Sequence, residues 1–540
     1  MHSFLLHRFL PILFCQLLWV SSAWSQSLLW YEVGDSPRDF FGKSVCGPGD
    51  VDGDGFDDWL VGAPGDRPNG QNSGSAVLLS GRTGLPLQLW HGAVPDAKFG
   101  YAVAGAGDLN GDGVPDLAIA SPFFPDVGSD HGKVEVFSGL DGSLLRSWLG
   151  ERPQLRLGMS IAAAGDVDAD GYDDLLVGVP WDDPNGPRSG SARLYSGFDG
   201  SLIYQWDGSA MEDATGTCVS GGLDASGDGI PDCLIGGPQH DSTGNEAGCA
   251  MLFSGATGEL LLQWFGHDDG SLFGSALALS DDVNDDGLAD VLIGAYNQST
   301  LTTDRAGKAY VYSGADGSEI YQWEGDFYYG CFGISVSAAG DFNGDGIGDL
   351  LVGARKAGEN GKHAGGAYLY SGLDGTLLFS HHGNRPSDRL GGSVSGAGDV
   401  NADGFHDLLL GADEDDLGGI NAGSARVISG HPTPLTVQRP EPGWAGYQNT
   451  VTVSGAEPDN HVLIFASTDN AGISKIGLET GFTIIQMASY KLLGNVIADI
   501  QGEASVSGMV ALHFSGLTLR FQAVEYESGR FAPLLRYTFP

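Results

Sequence analysis

Basic residues are scarce in this chain. Lys and Arg together number 26 against 69 Asp and Glu, and the formal net charge is −43. Nucleic acids and anionic membranes demand basic surface, which argues against either as a direct partner. Cysteine is scarce too, at six residues, one of them Cys15 near the N-terminus. The rest, Cys46, Cys218, Cys233, Cys249 and Cys331, lack zinc-site spacing. An odd number in an exported protein leaves at least one thiol unpaired. Three of them fall in one stretch of 32 residues (218–249), where a local disulfide is one option and the sequence does not choose the pair. Beyond the first 25 residues no apolar run approaches the ~20 residues of a membrane span. Catalytic signatures are absent as well: there is no G-x-S-x-G elbow and no H-E-x-x-H helix. The thirteen histidines are scattered, apart from the adjacent pair His381-His382.

What is abundant is glycine, at 87 residues, without a G-X-Y period and with only 24 prolines. Collagen is thereby excluded, and 41% hydrophobic residues exclude a disordered chain. Arg8, an apolar run from Phe9 to Val20 and the small residues Ala23 and Ser25 read as an export signal over residues 1–25, cleaved before Gln26. The mature chain is expected to be secreted, extracellular or at the cell surface.

One nine-residue pattern, D-x-[DNS]-x-D-G-x-x-D, occurs seven times, starting at Asp50, Asp108, Asp166, Asp224, Asp282, Asp341 and Asp399. The spacing is 58 residues, with one interval of 59. Ahead of most copies lies a Phe-Gly step and a small, apolar segment, as in Phe99-Gly100-Tyr101-Ala102-Val103. After each comes a continuous apolar run, such as Leu350-Leu351-Val352-Gly353-Ala354, which reads as a strand buried on both faces. A third, alternating strand follows, then a turn of Asp-Gly type such as Asp141-Gly142, then a fourth strand ending in Trp. Four antiparallel strands per ~58 residues predict a propeller blade. The seventh unit breaks off at Gly430 without a fourth strand, whereas the N-terminus has one to spare at Ser27–Val33. That segment is expected to complete the last blade and close the ring, which removes open sheet edges. The fold class is therefore all-β: a seven-bladed β-propeller over residues 28–430, followed by a small β-sandwich-like domain over 432–540.

Trp90, Trp148, Trp206, Trp264 and Trp323 share one outer-strand position, with His381 in the sixth unit and Trp30 offset by two. A row of aromatics can stack on sugars, but such regularity favours packing between blades.

The loops suit a hard cation that takes 6 to 8 oxygens. The first supplies Asp50, Asp52, Asp54 and Asp58 with the carbonyl of Phe56; the second Asp108, Asn110, Asp112 and Asp116 with Val114; the third Asp166, Asp168, Asp170 and Asp174 with Tyr172. The fourth supplies Asp224, Ser226, Asp228 and Asp232 with Ile230, and the fifth Asp282, Asn284, Asp286 and Asp290 with Leu288. The sixth supplies Asp341, Asn343, Asp345 and Asp349 with Ile347, and the seventh Asp399, Asn401, Asp403 and Asp407 with Phe405. Glycine at position 6 permits the sharp turn. Helix-loop-helix calcium sites share this opening but need Glu at position 12, where these loops have Val61, Ile119, Val177, Ile235, Ile293, Val352 and Leu410. Up to seven structural calcium ions are expected, held most tightly by the first and third loops, which keep four acids, and least by the Ser226 loop. Magnesium, which dehydrates reluctantly, fits less well.

The Phe-Gly step, the aspartate loop and Gly62-Ala63-Pro64 together resemble the FG-GAP repeat of the integrin α-subunit propeller, over about three quarters of the chain. The resemblance implies structural calcium and an extracellular recognition domain for a protein or glycan, involved in adhesion and not an enzyme. The chain departs from integrins in keeping the pattern in all seven units, and looks more like an exported bacterial FG-GAP protein. Its alternative is a secreted hydrolase or lyase acting on polysaccharide or lipid. An FG-GAP-bearing phospholipase exists, but its catalytic part precedes its propeller.

In an up-and-down blade, the calcium loops and the Asp-Gly turns share one face. Recognition is therefore expected on the other, where Phe123, Phe124, Trp181, Tyr296, Tyr328, Tyr329, Arg355 and Lys356 fall in the 2–3 loops and blade links.

Overall fold

A computed structural model describes residues 28–126 and 128–430, together with the backbone of strands between 436 and 538. The export signal lies outside the described residues.

Seven four-stranded antiparallel sheets follow one another in chain order. In the first complete blade the strands are Ser44–Gly49, Asp58–Ala63, Ser75–Leu79 and Pro86–His91. The second strand is buried along its whole length in every blade, as Asp58–Ala63 and Asp407–Ala412 illustrate. Continuous apolar runs with neighbours on both faces produce that result. The outer strand is the least covered, mixing exposed with half-buried residues, as in Leu144–Leu149.

Closure is made by Leu28–Val33, which pairs antiparallel with Ser424–Ile428 and supplies the outer strand of the seventh blade. The innermost strands then run side by side around the ring. Serine hydroxyls stitch them: Ser44 Oγ accepts from Val103 N at 3.1 Å, and Ser393 Oγ from Val45 N at 3.1 Å.

The Phe-Gly step has a specific mechanical role. Its first residue forms a parallel bridge to the glycine preceding strand three of the blade before it, as Phe99 does with Gly74 and Phe332 with Gly307. The following glycine sits at positive φ, +81° at Gly100, and a Cβ there would stand 2.3 Å from the Ser75 carbonyl oxygen. No side chain fits between blade link and strand. Gly55, at position 6 of the first loop, also has positive φ (+88°) but open space around it.

On the rim, five indoles reach the next blade's 3–4 turn. Trp90, Trp148, Trp206, Trp264 and Trp323 donate to the carbonyls of Gly142, Gly200, Gly258, Gly317 and Gly375 at 2.9–3.1 Å. Trp30 donates to Gly81 at 2.7 Å. The tryptophan row packs blade on blade, with Trp206 also tilted against Phe253 at 5.1 Å between centroids.

The cysteines Cys46, Cys218, Cys233, Cys249 and Cys331 are all free. Within the fourth blade, Cys233 pairs across the ladder with Phe253 and Cys249 with Gly237, so they occupy opposite ends of adjacent strands. That separation, four residues at about 3.3 Å each, far exceeds disulfide reach.

Seven further strands between Thr436 and Thr538 pair into a three-stranded and a four-stranded antiparallel sheet.

Gly100→Ala is expected to destabilise the propeller by well over the ~1 kcal/mol that left-handed strain alone costs, because it adds a clash with Ser75. Gly55→Ala should cost only that ~1 kcal/mol. Urea unfolding of the two variants checks the order; equal losses would mean the Phe-Gly contact is dispensable.

Candidate functional site

Each aspartate loop is wound around its own carboxylates. In the first, Asp50 accepts backbone N–H bonds from Gly53, Asp54 and Gly55 at 2.8, 3.0 and 2.8 Å. Asp52 accepts from Asp54 N and Asp54 from Phe56 N, both at 3.1 Å. The other loops repeat the pattern, as with Asp341 and the N–H groups of Gly344, Asp345 and Gly346. Position 6 is left-handed throughout. Position 4 is left-handed as well, even at Ala169, Asp285 and Ala402, a constraint the motif does not announce.

The ninth position differs from the rest by being wholly buried. Asp58, Asp116, Asp174, Asp232, Asp290, Asp349 and Asp407 each show no exposure. Asp58 accepts from Val51 N at 3.0 Å with one oxygen and from Gly81 N at 2.9 Å with the other. It thereby joins its loop to the end of strand three. Burial drives these carboxyls upward, Asp58 and Asp290 to about 6, Asp116, Asp174 and Asp349 to about 7, and Asp407 to about 8. Hydrogen bonds from the two backbone N–H groups only partly oppose that effect.

Carboxylate oxygens of Asp50, Asp52 and Asp58 lie within 4.8 Å of one another, and so do those of Asp166, Asp168 and Asp174. These are the first and third loops. In the second, fifth and sixth, an asparagine side chain at position 3 instead donates to the ninth-position aspartate, Asn110 to Asp116 at 3.1 Å for example. Ser226 donates its backbone N–H to Asp232 at 2.9 Å. Neighbouring loops are also linked: Asp57 N donates to Asp399 O at 3.1 Å and Asp173 N to Asp108 O at 3.2 Å. An all-oxygen donor set with a buried carboxylate short of positive partners fits a hard cation such as calcium. The chemistry available is structural, because the groups around each site are carboxylates, amides and backbone, repeated without a distinct acid or base.

On the opposite face, the 2–3 loops and blade links hydrogen-bond each other, as Lys98 N does with Asn72 O at 3.0 Å. Among the basic residues between 28 and 430, only Arg82 and Arg146 lie at the loop end. The rest gather on or near the link face. There they interleave with aromatics: Lys98 lies 4.2 Å from the Phe123 ring centroid, Arg156 4.9 Å from Phe123 and 4.1 Å from Trp181, and Arg188 5.3 Å from Trp181. Lys133 lies over Phe124 at 5.3 Å. A second group forms where Tyr328, Tyr329 and Lys356 line an open hollow of about 630 Å³ with Lys362 and His363. Tyr328 is 66% exposed. Tyr296 stands apart, half-buried, its hydroxyl pushed up by burial. Arg355 is engaged by Asp413 at 2.8 Å and Glu414 at 3.5 Å. Sequence reading missed Lys98, Arg156 and Arg188; their signal is position, since all three lie in blade links or 2–3 loops that converge on one face.

Comparison with known proteins matches the FG-GAP repeat at residues 41–79, 99–136, 157–195, 273–312 and 332–370. The chain carries FG-GAP repeats. It is 32% identical over 221 residues to integrin alpha-5 of Xenopus laevis, covering 38% of this chain and 20% of that protein. It is 33% identical over 234 residues to integrin alpha pat-2 of Caenorhabditis briggsae, covering 38% and 18%. With integrin alpha-V of Gallus gallus it shares 30% over 213 residues, covering 36% and 20%. The chain thus spans about one fifth of the length of these relatives.

A pH dependence follows from the ninth-position aspartates. Their folded pKa values lie above the ~3.9 of an unfolded aspartate. The stability they lend without a cation is therefore full below about pH 4 and lost as pH rises through about 6 to 8. In chelator the melting temperature is expected to fall between pH 5 and 8, and with millimolar calcium this fall should disappear. A chelated melting temperature that rises over that window would contradict the assignment.

Proposed function

We propose that this FG-GAP repeat propeller is an extracellular, calcium-stabilised binding module that recognises an acidic protein or glycan across the face opposite its aspartate loops. The observation that carries this reading is the alternation of cations and aromatics through Lys98, Phe123, Arg156, Trp181 and Arg188. Guanidinium groups over aromatic rings present a flat apolar surface edged by N–H donors, which suits carboxylate or sulfate groups on a sugar or peptide. A central hollow of about 260 Å³ on the same face is lined by Lys43, Lys98, Tyr101 and Arg355 together with Asp413 and Glu414.

The calcium loops take the scaffold role. They lie at the far ends of the strands, and their cations relieve the mutual repulsion of the acidic motif positions. The likeness to integrin α subunits supports an adhesive role outside the cell. No helix among the described residues is long and apolar enough to cross a membrane.

Arrays of acidic glycans and of extracellular proteins, probed with the purified chain in calcium, are expected to yield a ligand whose binding weakens with salt. Trp181→Ala, Arg156→Ala and Tyr328→Ala should each reduce that affinity about tenfold, equivalent to about 1.4 kcal/mol, with melting temperature little changed. Undiminished affinity in all three folded variants, or turnover of a polysaccharide by the purified protein, would overturn the reading.

A further inference from the structure

We propose that Asp35, Asp39 and Asp66 form a calcium site separate from the seven loops, on the opposite face, at the seam where the closing strand passes into the first blade. Asp35 and Asp39 lie in the link that follows Leu28–Val33, and Asp66 lies in the loop after Asp58–Ala63. One carboxylate oxygen from each falls within 4.8 Å of the others. Three carboxylates with room for water suit calcium, which takes 6 to 8 oxygens in flexible geometry, better than magnesium, which demands a near-ideal octahedron.

The second observation is Asp39 itself. It is only 3% exposed. Its Oδ2 accepts from Ser36 N at 2.8 Å, while its Oδ1 is buried without a hydrogen-bond partner. A buried carboxylate oxygen in that state is costly unless a cation or proton meets it. Asp66 accepts from Arg67 N at 2.6 Å and from Ser75 Oγ at 2.5 Å, with His91 reaching the same hydroxyl at 2.9 Å. No Lys or Arg forms an ion pair with any of the three acids among the described residues. Burial, and then the charges of Asp66 and Asp35, push Asp39 up to about 6 against the pull of the Ser36 N–H.

The repeat supplies its own control. Asp182 and Asp415 occupy the place of Asp66 in the third and seventh blades, each near a second acid of the preceding link, Glu151 and Asp388. In those blades an arginine on strand three neutralises the pair: Arg193 meets Asp182 at 3.2 Å, and Arg426 meets Asp415 at 3.4 Å. Arg193 pairs across the ladder with Val177 and Arg426 with Leu410; the residue in that register in the first blade is Val77, opposite Val61. The third blade also has Asp183, and Arg152 of its link pairs with both Asp182 and Asp183; the first blade has three carboxylates and an aliphatic side chain in the strand-three position where these blades carry a guanidinium. A cation from solution fills the role of the missing arginine. Asp35 is exposed and Asp66 partly so, which leaves positions for water.

The test counts calcium, added as the metal alone, on the full-length protein after chelation and dialysis. Asp39→Asn and Val77→Arg are each expected to bind one ion fewer than the parent, with the loop ions retained. In chelator, Val77→Arg should melt several degrees above the parent, and calcium should narrow that gap. A parent-like ion count in either folded variant overturns the proposal. So does a Val77→Arg variant that is less stable than the parent in chelator and in calcium alike.

Discussion

Each blade hangs on one buried carboxylate, the aspartate that ends its loop. Through Asp58 the N–H of Val51 and the N–H of Gly81, residues that belong to the loop and to the end of strand three, meet the same side chain. The same bond recurs 23 residues downstream at Gly139, Gly197, Gly255 and Gly430. A charge so placed cannot be hydrated, and two N–H dipoles do not neutralise it. A proton can do so at low pH, and in the proposed calcium-bound state a cation gathered by the neighbouring acids does so without breaking either bond. The loops are therefore part of the ring's core energetics, although they sit at its edge.

Where the ring closes, regularity has to end, and the exceptions are informative. The outer strand of the sixth blade carries His381 where its neighbours carry tryptophan. The seventh blade has no 3–4 turn of its own, because its outer strand arrives from the N-terminus. An indole there would find no glycine carbonyl to receive its N–H. His381 instead stands 3.3 Å from Arg426, and burial, followed by that arginine's charge, pushes it down to about 4. It is neutral at physiological pH and accepts from the guanidinium. Arg426 in turn joins Asp415 and lies over the Tyr31 ring at 4.8 Å, so the closing strand is held by a buried charge pair with an aromatic lid.

Periodic features were legible in the sequence for a physical reason: every blade must satisfy the same turn, the same buried aspartate and the same blade contact. The loops, the doubly buried strand, the spare N-terminal strand and the tryptophan row all follow from that repetition. Features made by only one pair of blades were not legible. Asp35, Asp39 and Asp66 belong to no motif, and 27 residues separate Asp39 from Asp66; the packing of the blade link against the 2–3 loop, where Gly65 N donates to Asp39 O, brings them together. The arginines over Phe123 and Trp181 come from blade links whose contacts depend on packing between blades. The disulfide left open among Cys218, Cys233 and Cys249 also turned on geometry, since spacing along a chain says nothing about which ends of a ladder two thiols occupy.

A net charge of −43 taken alone argues against an acidic ligand, yet the charge is not spread over one surface. The aspartate loops and the link face are separated by six-residue strands, about 20 Å at ~3.3 Å per residue. The Debye length at physiological ionic strength is about 8 Å. The ligand proposed for the link face would therefore respond mainly to Lys98, Arg156, Arg188 and their neighbours. These basic groups are still interrupted by acids, Arg188 by Glu212 and Arg389 by Glu414. Such a surface lacks the unbroken basic stripe that a polyphosphate backbone requires. It favours a ligand with discrete, spaced acidic groups and apolar faces between them, which an acidic glycan or a folded protein supplies.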